Sequence, residues 1–176
     1  MNAHLPILPV LIPVLSAAVM VALSRQDLVL ARVLSFIAAA AQLVVASLLF
    51  AAVGEGEVLV YRLGDWPAPY GIALVADRLS AAMVLLTAAL GAVLLLHAVC
   101  AWDRRGRHFH PLFQFQLMGI YGAFLTGDFF NLFVFFEVML IASYGLMVHG
   151  GGAARLTNAL QYMVVNLIAS SLFLFA

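Results

Sequence analysis

The sequence predicts an all-α, polytopic membrane helix bundle of about six transmembrane helices, on three observations. Hydrophobic residues make up 66% of the 176 residues and charged residues only 9%, far below the roughly 25% charged content of a soluble domain. The apolar residues gather into stretches long enough, at about 1.5 Å per helical residue, to cross a hydrocarbon core of about 30 Å. Short breaks rich in Gly, Pro, Asp or Arg separate them. Eight acidic and eight basic residues cancel, so the charge balance points to neither nucleic acid nor a large acidic partner. A single cysteine, Cys100, allows no internal disulfide and no metal cluster, and its apolar surroundings predict an inert buried thiol.

The first span is expected over 5–23, as a retained helix rather than a signal peptide, because no positive region precedes it. Pro6, Pro9 and Pro13 make its start irregular. Ser24-Arg25-Gln26-Asp27 turns the chain into a second span over 29–53, where Gln42 suits an interhelical hydrogen bond. An outer loop over 54–76 follows. Its two short apolar runs, Val58 to Leu63 and Ile72 to Val75, flank Gly-Asp-Trp-Pro-Ala-Pro-Tyr-Gly, which predicts a hairpin-like cap with Trp66 and Tyr70 at the interface. The third span, 79–100, carries His97 near its end, read as interfacial with a proton-relay role as the alternative. The basic loop from Trp102 to His110 contains His108 and His110, two apart and read as solvated, since no further ligands accompany them. The fourth span, 111–126, is short, and Gly119, Gly122 and Ala123 allow close helix contact.

The fifth span, 129–148, holds the residue on which the functional reading turns. Glu137 falls near the middle of an otherwise apolar helix. A central charge there costs about 2.5 to 3.5 kcal/mol on insertion scales, so such a residue faces inward and serves ions or protons. Phe133, Leu140, Ile141 and Tyr144 share its face, and burial among Phe133, Phe136, Leu140 and Ile141 is expected. The competing reading is a neutral or paired carboxyl that only packs helices. Gly150-Gly151-Gly152 ends the helix. The sixth span, 156–176, carries Asn158, Tyr162, Asn166 and Ser170 at four-residue steps, a stripe expected to point into the bundle as water-bridged packing or the lining of a hydrated path. With Tyr144 and His149, the residues Asn158, Tyr162 and Asn166 form the candidate secondary polar path.

Six arginines, Arg25, Arg32, Arg104, Arg105, Arg107 and Arg155, fall on one side of this topology, against Arg62 and Arg78 on the other. The basic side should face the cytoplasm and the N-terminus the outside.

Three stretches resemble a known family: His110-Pro111-Leu112-Phe113-Gln114-Phe115-Gln116-Leu117-Met118, the run from Gly122 to Glu137 through Gly-Asp-Phe-Phe-Asn, and Ile141-Ala142-Ser143-Tyr144-Gly145-Leu146-Met147-Val148-His149. With Val60-Tyr61-Arg62-Leu63-Gly64-Asp65-Trp66-Pro67, they resemble the D subunit of the multisubunit (Mrp-type) Na+/H+ antiporters. The wider superfamily includes the antiporter-like membrane subunits of respiratory complex I and of membrane-bound hydrogenases. The resemblance implies a longer polypeptide, of which residues 1–176 are the N-terminal transmembrane region. It also implies that Glu137 pairs with a lysine two helices further on; every base in this chain is arginine.

The expected function is therefore a proton-translocating subunit of a monovalent cation (Na+)/proton antiporter in a bacterial inner membrane, with Glu137 as the proton-transfer carboxylate. Its expected partners are sister subunits, lipid, protons and monovalent cations. The alternatives are a proton-pumping subunit of complex I or a membrane-bound hydrogenase, and a structural membrane scaffold. No nucleotide-binding glycine motif follows a strand and no cysteine set could hold an iron–sulfur cluster, so neither enzymatic bond chemistry nor a cofactor is expected.

Overall fold

A computed structural model describes residues 2–23, 27–54, 56–66 and 71–175. The expectations for Arg25, Gln26, Glu55, Pro67, Pro69, Tyr70 and Ala176 lie outside the described residues. Among the described residues, six α-helices run over α1 Leu8–Leu23, α2 Leu28–Ala52, α3 Arg78–Ala101, α4 Phe109–Leu125, α5 Phe129–Val148 and α6 Ala153–Phe175. Five of these, α1 counted from His4, are long and apolar enough to cross a membrane; α4, at 17 residues, is shorter. The chain is a multi-pass membrane protein.

Local chemistry sets the helix ends. A 3-10 turn over Asn2–Ile7, with Pro6 inside it, precedes α1 and is the irregular start that the prolines predict. The Asp27 side chain accepts hydrogen bonds from the Val29 and Leu30 amides and so caps α2. Asp77 and Ser80 form a reciprocal capping box at α3. At the far end of α5, Gly150, Gly151 and Gly152 all take positive φ (89°, 68° and 106°), which only glycine adopts without strain in succession.

Between α2 and α3, strands β1 Leu59–Arg62 and β2 Ala73–Ala76 pair antiparallel, Leu59 opposite Ala76 and Arg62 opposite Ala73. This hairpin reaches the turn before α5. Leu74 bridges Thr126, and the Gly127 amide donates to the Ala73 carbonyl at 2.9 Å. The core lies where α1 to α4 meet, around Ala46, Leu49, Val84, Leu95, Leu117, Tyr121 and Leu125, all buried. Helix α5 packs on α4, and α6 packs chiefly on α5.

The α4–α5 contact depends on missing side chains. A Cβ at Gly119 would fall 2.7 Å from Met139 Cβ, and one at Gly122 would overlap the Phe135 ring. These small residues let the two backbones approach, the means by which helices associate where lipid removes the hydrophobic drive.

Candidate functional site

Helix α5 is held at its start by a compact polar knot. The Asp128 carboxylate accepts from the Asn131 amide at 3.0 Å, and the buried Asn131 donates from Nδ2 to Thr126 Oγ1 at 2.9 Å. Because Thr126 and Gly127 are tied to β2, the hairpin fixes where α5 begins and hence the depth of Glu137. Glu137 lies eight residues after Phe129, about 12 Å along the helix.

The Glu137 face turns away from Phe135, which is buried on the α4 side. Two ring pairs on the α5–α6 seam bracket the carboxylate along the helix. Phe133 stacks on Phe173 with centroids 6.5 Å apart, and Tyr144 meets Tyr162 edge-on at 5.7 Å. Glu137 is half-buried, yet its Oε1 is enclosed and has no hydrogen-bond partner. Asn166 Nδ2 on α6 is enclosed and unpartnered in the same way. Beside it lies a cavity of about 290 Å³ lined by residues that include Phe133, Phe136, Leu140, Asn166, Ser170 and Phe173. An acceptor with no donor and a donor with no acceptor, each shut from solvent, mark a seam that water, a proton or a cationic side chain would complete.

The expected burial of Glu137 among Phe133, Phe136, Leu140 and Ile141 needs correction. Phe136 is 39% and Ile141 63% exposed, because α6 covers this side of α5 only in part: Phe136 borders the cavity against α6 and does not close it. The α6 stripe is corrected too: Asn158 and Tyr162 are exposed, since α6 has chiefly α5 to face, and only Asn166 and Ser170 are half-buried. Tyr144 is half-buried and within electrostatic reach of Glu137. His149 is buried but lies twelve residues from Glu137 at the end of the helix, about 18 Å away. There its Nε2 meets the Trp102 carbonyl at 3.1 Å.

A second polar constellation escaped the sequence reading. Asp103 is fully buried and takes a two-pronged ion pair from Arg32, Nε to Oδ2 at 2.6 Å and Nη2 to Oδ1 at 2.8 Å. His110 Nε2 lies 3.3 Å from the same carboxylate, and His110 Nδ1 lies 2.9 Å from Ser35 Oγ. Since a carboxylate only accepts, the proton belongs on Nε2 and Nδ1 receives the serine hydroxyl. One turn further on α4, Gln114 Oε1 accepts from Gln42 Nε2 at 2.6 Å, and Tyr121 donates to Gln42 Oε1 at 3.3 Å. Gln42 thus makes the interhelical bond expected of it. The solvated-loop reading of His110 is overturned: α4 starts at Phe109, so His110 points into the bundle, while His108 stays exposed. Cys100 is exposed rather than buried, and so is His97. The only sequence signals for the cluster were Arg32 inside an apolar span and the four-residue step from His110 to Gln114.

Burial works to raise the Asp103 carboxyl, but hydrogen bonds from Arg32 and His110, with the charge of Arg32, outweigh it and hold the group below its usual range. A lowered folded value means stability that is fully present above the ordinary aspartate range near pH ~4 and is lost as pH falls through the folded value. Thermal unfolding in detergent should therefore show Tm declining below about pH 4, and Asp103→Asn should lower Tm at pH 7 by several degrees while flattening that acid limb. An Asp103→Asn protein with unchanged Tm and acid limb would show that the pair adds nothing.

No family model matches the chain. Its sequence is nevertheless 48% identical to the probable K(+)/H(+) antiporter D subunit of Rhizobium meliloti, over 97% of this chain and 33% of that protein. It is 44% identical to the Na(+)/H(+) antiporter D subunit of Alkalihalophilus pseudofirmus, over 97% of this chain and 35% of the relative. The chain is homologous to the antiporter D subunits. It spans about a third of their length. The fold agrees: a chain in the structure of the Mrp complex from Dietzia sp. superposes with a TM-score of 0.91 at 34% identity, over 99% of this chain and 34% of that one. A chain of the membrane-bound sulfane sulfur reductase, an archaeal respiratory membrane complex, superposes with a TM-score of 0.90 at 28% identity, over 97% of this chain and 35% of that one. The likeness to the Mrp complex thus takes in all six helices, the hairpin and the span that carries Glu137.

Proposed function

We propose that the chain is the N-terminal transmembrane region of a proton-translocating subunit in a multisubunit monovalent cation/proton antiporter, with Glu137 as its proton-transfer carboxylate. The observation that carries the role of Glu137 is its enclosed Oε1, which lacks any partner within a membrane-crossing helix. An oxygen so placed is satisfied by taking a proton or by meeting a cation, and alternation between the two moves protons. Tyr144, within electrostatic reach on the same helix, and Asn166, on the facing helix α6, are the polar groups of the seam through which a proton would arrive or depart.

Sodium is the cation we propose, in an inner membrane with the basic end of the bundle toward the cytoplasm and the N-terminus outside. Sister antiporter subunits are the proposed partners. A second reading, a proton-pumping subunit of a redox assembly, is favoured by the likeness to the sulfane sulfur reductase complex. The test uses everted vesicles carrying the full-length protein in its complex, with a fluorescent pH probe. Proton release on adding Na+, and not on adding K+, supports the proposal. A response to K+ alone overturns the choice of cation. Proton movement that follows only an electron donor, with no response to either cation, overturns antiport and favours the redox reading.

A further inference from the structure

The two ends of the bundle carry opposite charge. Glu57, Asp65, Asp77 and Asp128 lie at the end that bears the hairpin, whereas Arg104, Arg105, Arg107 and Arg155 lie at the other, where α3 and α5 finish and α4 and α6 begin. At that basic end Asp103 is already consumed by Arg32 and His110, and Asp27 caps α2. Among the described residues none of the four arginines meets a carboxylate.

Two of them are gathered by an indole. The Arg105 guanidinium sits 4.8 Å and the Arg155 guanidinium 4.7 Å from the centroid of the Trp102 ring, which places the two charges within about 10 Å of each other. Stacking uses the flat face of a guanidinium and leaves its edge N–H donors free. Arg155 spends one on the His149 carbonyl at 2.7 Å, and that carbonyl ends α5. The Trp102 carbonyl in turn takes His149 Nε2, so the α3–α4 and α5–α6 connections are locked together beneath the paired charges. Arg104, Arg105 and Arg107 remain exposed. Like charges held this close without a counterion repel, and one tetrahedral anion accepting from both guanidinium edges would relieve the repulsion.

We propose that this cluster is a binding site for the phosphate headgroup of an anionic phospholipid, held by Arg105 and Arg155 over Trp102 with Arg104 and Arg107 at its rim. Lipid rather than an acidic protein segment is favoured by the location. The cluster sits at the ends of four helices, with a half-buried tryptophan at the level where indoles mark the membrane boundary and anionic headgroups are the concentrated anion.

Tryptophan fluorescence reads the site directly. In the full-length protein with every tryptophan but Trp102 replaced by phenylalanine, which within the 176 residues means Trp66→Phe, the emission reports Trp102 alone. In vesicles, brominated phosphatidylglycerol should quench it at a lower mole fraction than brominated phosphatidylcholine. Each arginine neutralised should weaken that preference by about five-fold. Arg105→Gln with Arg155→Gln should abolish it, the exposed pair Arg104→Gln with Arg107→Gln should weaken it without disturbing the loop, and Arg62→Gln with Arg78→Gln at the opposite end should leave it intact. Equal quenching by the two lipids would overturn the proposal. So would a preference that survives Arg105→Gln with Arg155→Gln in a protein that keeps its helical circular dichroism. Absence of quenching by either lipid would mean that a protein segment covers Trp102, and competition by millimolar inorganic phosphate would mean a free-anion site; either result overturns the lipid assignment.

Discussion

Glu137→Gln in the assembled full-length complex should lower cation-driven proton exchange at least about ten-fold while leaving subunit stoichiometry unchanged. Glutamine keeps the volume and hydrogen-bonding reach of the side chain but does not titrate, so the α5–α6 seam keeps its packing and loses only the exchangeable proton. Glu137→Asp should fall between the two, since it titrates but retracts the carboxylate by one methylene. If Glu137 only packed helices, the order would differ: glutamine would be neutral or stabilising, because removing an enclosed charge lifts its desolvation cost. Exchange rates from pH-probe dequenching, set against complex recovered from the same membranes, separate the two. Full exchange in an assembled Glu137→Gln complex would remove Glu137 from the mechanism.

The fold was largely legible because membrane crossing is a one-dimensional property. Hydropathy and length alone mark the helices, and the Gly-Asp-Trp-Pro turn chemistry marks the hairpin. That α4 makes a close helix contact could also be read, from Gly119, Gly122 and Ala123, though not that α5 is the partner. What could not be read is which side of each helix finds a neighbour. The Asp103 cluster joins residues from α2, the α3–α4 connection and α4, more than seventy positions apart in the case of Arg32 and Asp103. In the sequence Asp103 looks like one member of a solvated basic loop. The same ignorance of neighbours put Phe136, Ile141 and Cys100 inside, and turned Asn158 and Tyr162 inward, when the described helices leave each of them exposed, Phe136 and Tyr162 at the edge of the α5–α6 seam.

Gly122→Leu should be the most damaging single change to the bundle. A Cβ at position 122 already overlaps the Phe135 ring, and leucine adds three further carbons between two backbones whose approach defines the α4–α5 contact. Overpacking a tight contact costs about 1 to 3 kcal/mol, sometimes more, and one unable to relax should expel α5 from α4. The consequence reaches the candidate site because Phe135 and Glu137 are two residues apart on opposite faces of one helix. Pushing the Phe135 face outward shifts Glu137 against Asn166 and the α6 seam. Gly122→Leu should thus lower both Tm and exchange activity. Phe135→Ala, which opens the space the leucine needs, should restore much of both in the double variant although it is destabilising alone. That non-additivity is the diagnostic, since residues in contact couple and distant ones do not. If the two changes simply add, Gly122 and Phe135 are not the point at which α4 fixes α5, and the depth of Glu137 rests instead on the Asp128–Asn131–Thr126 knot at the start of the helix.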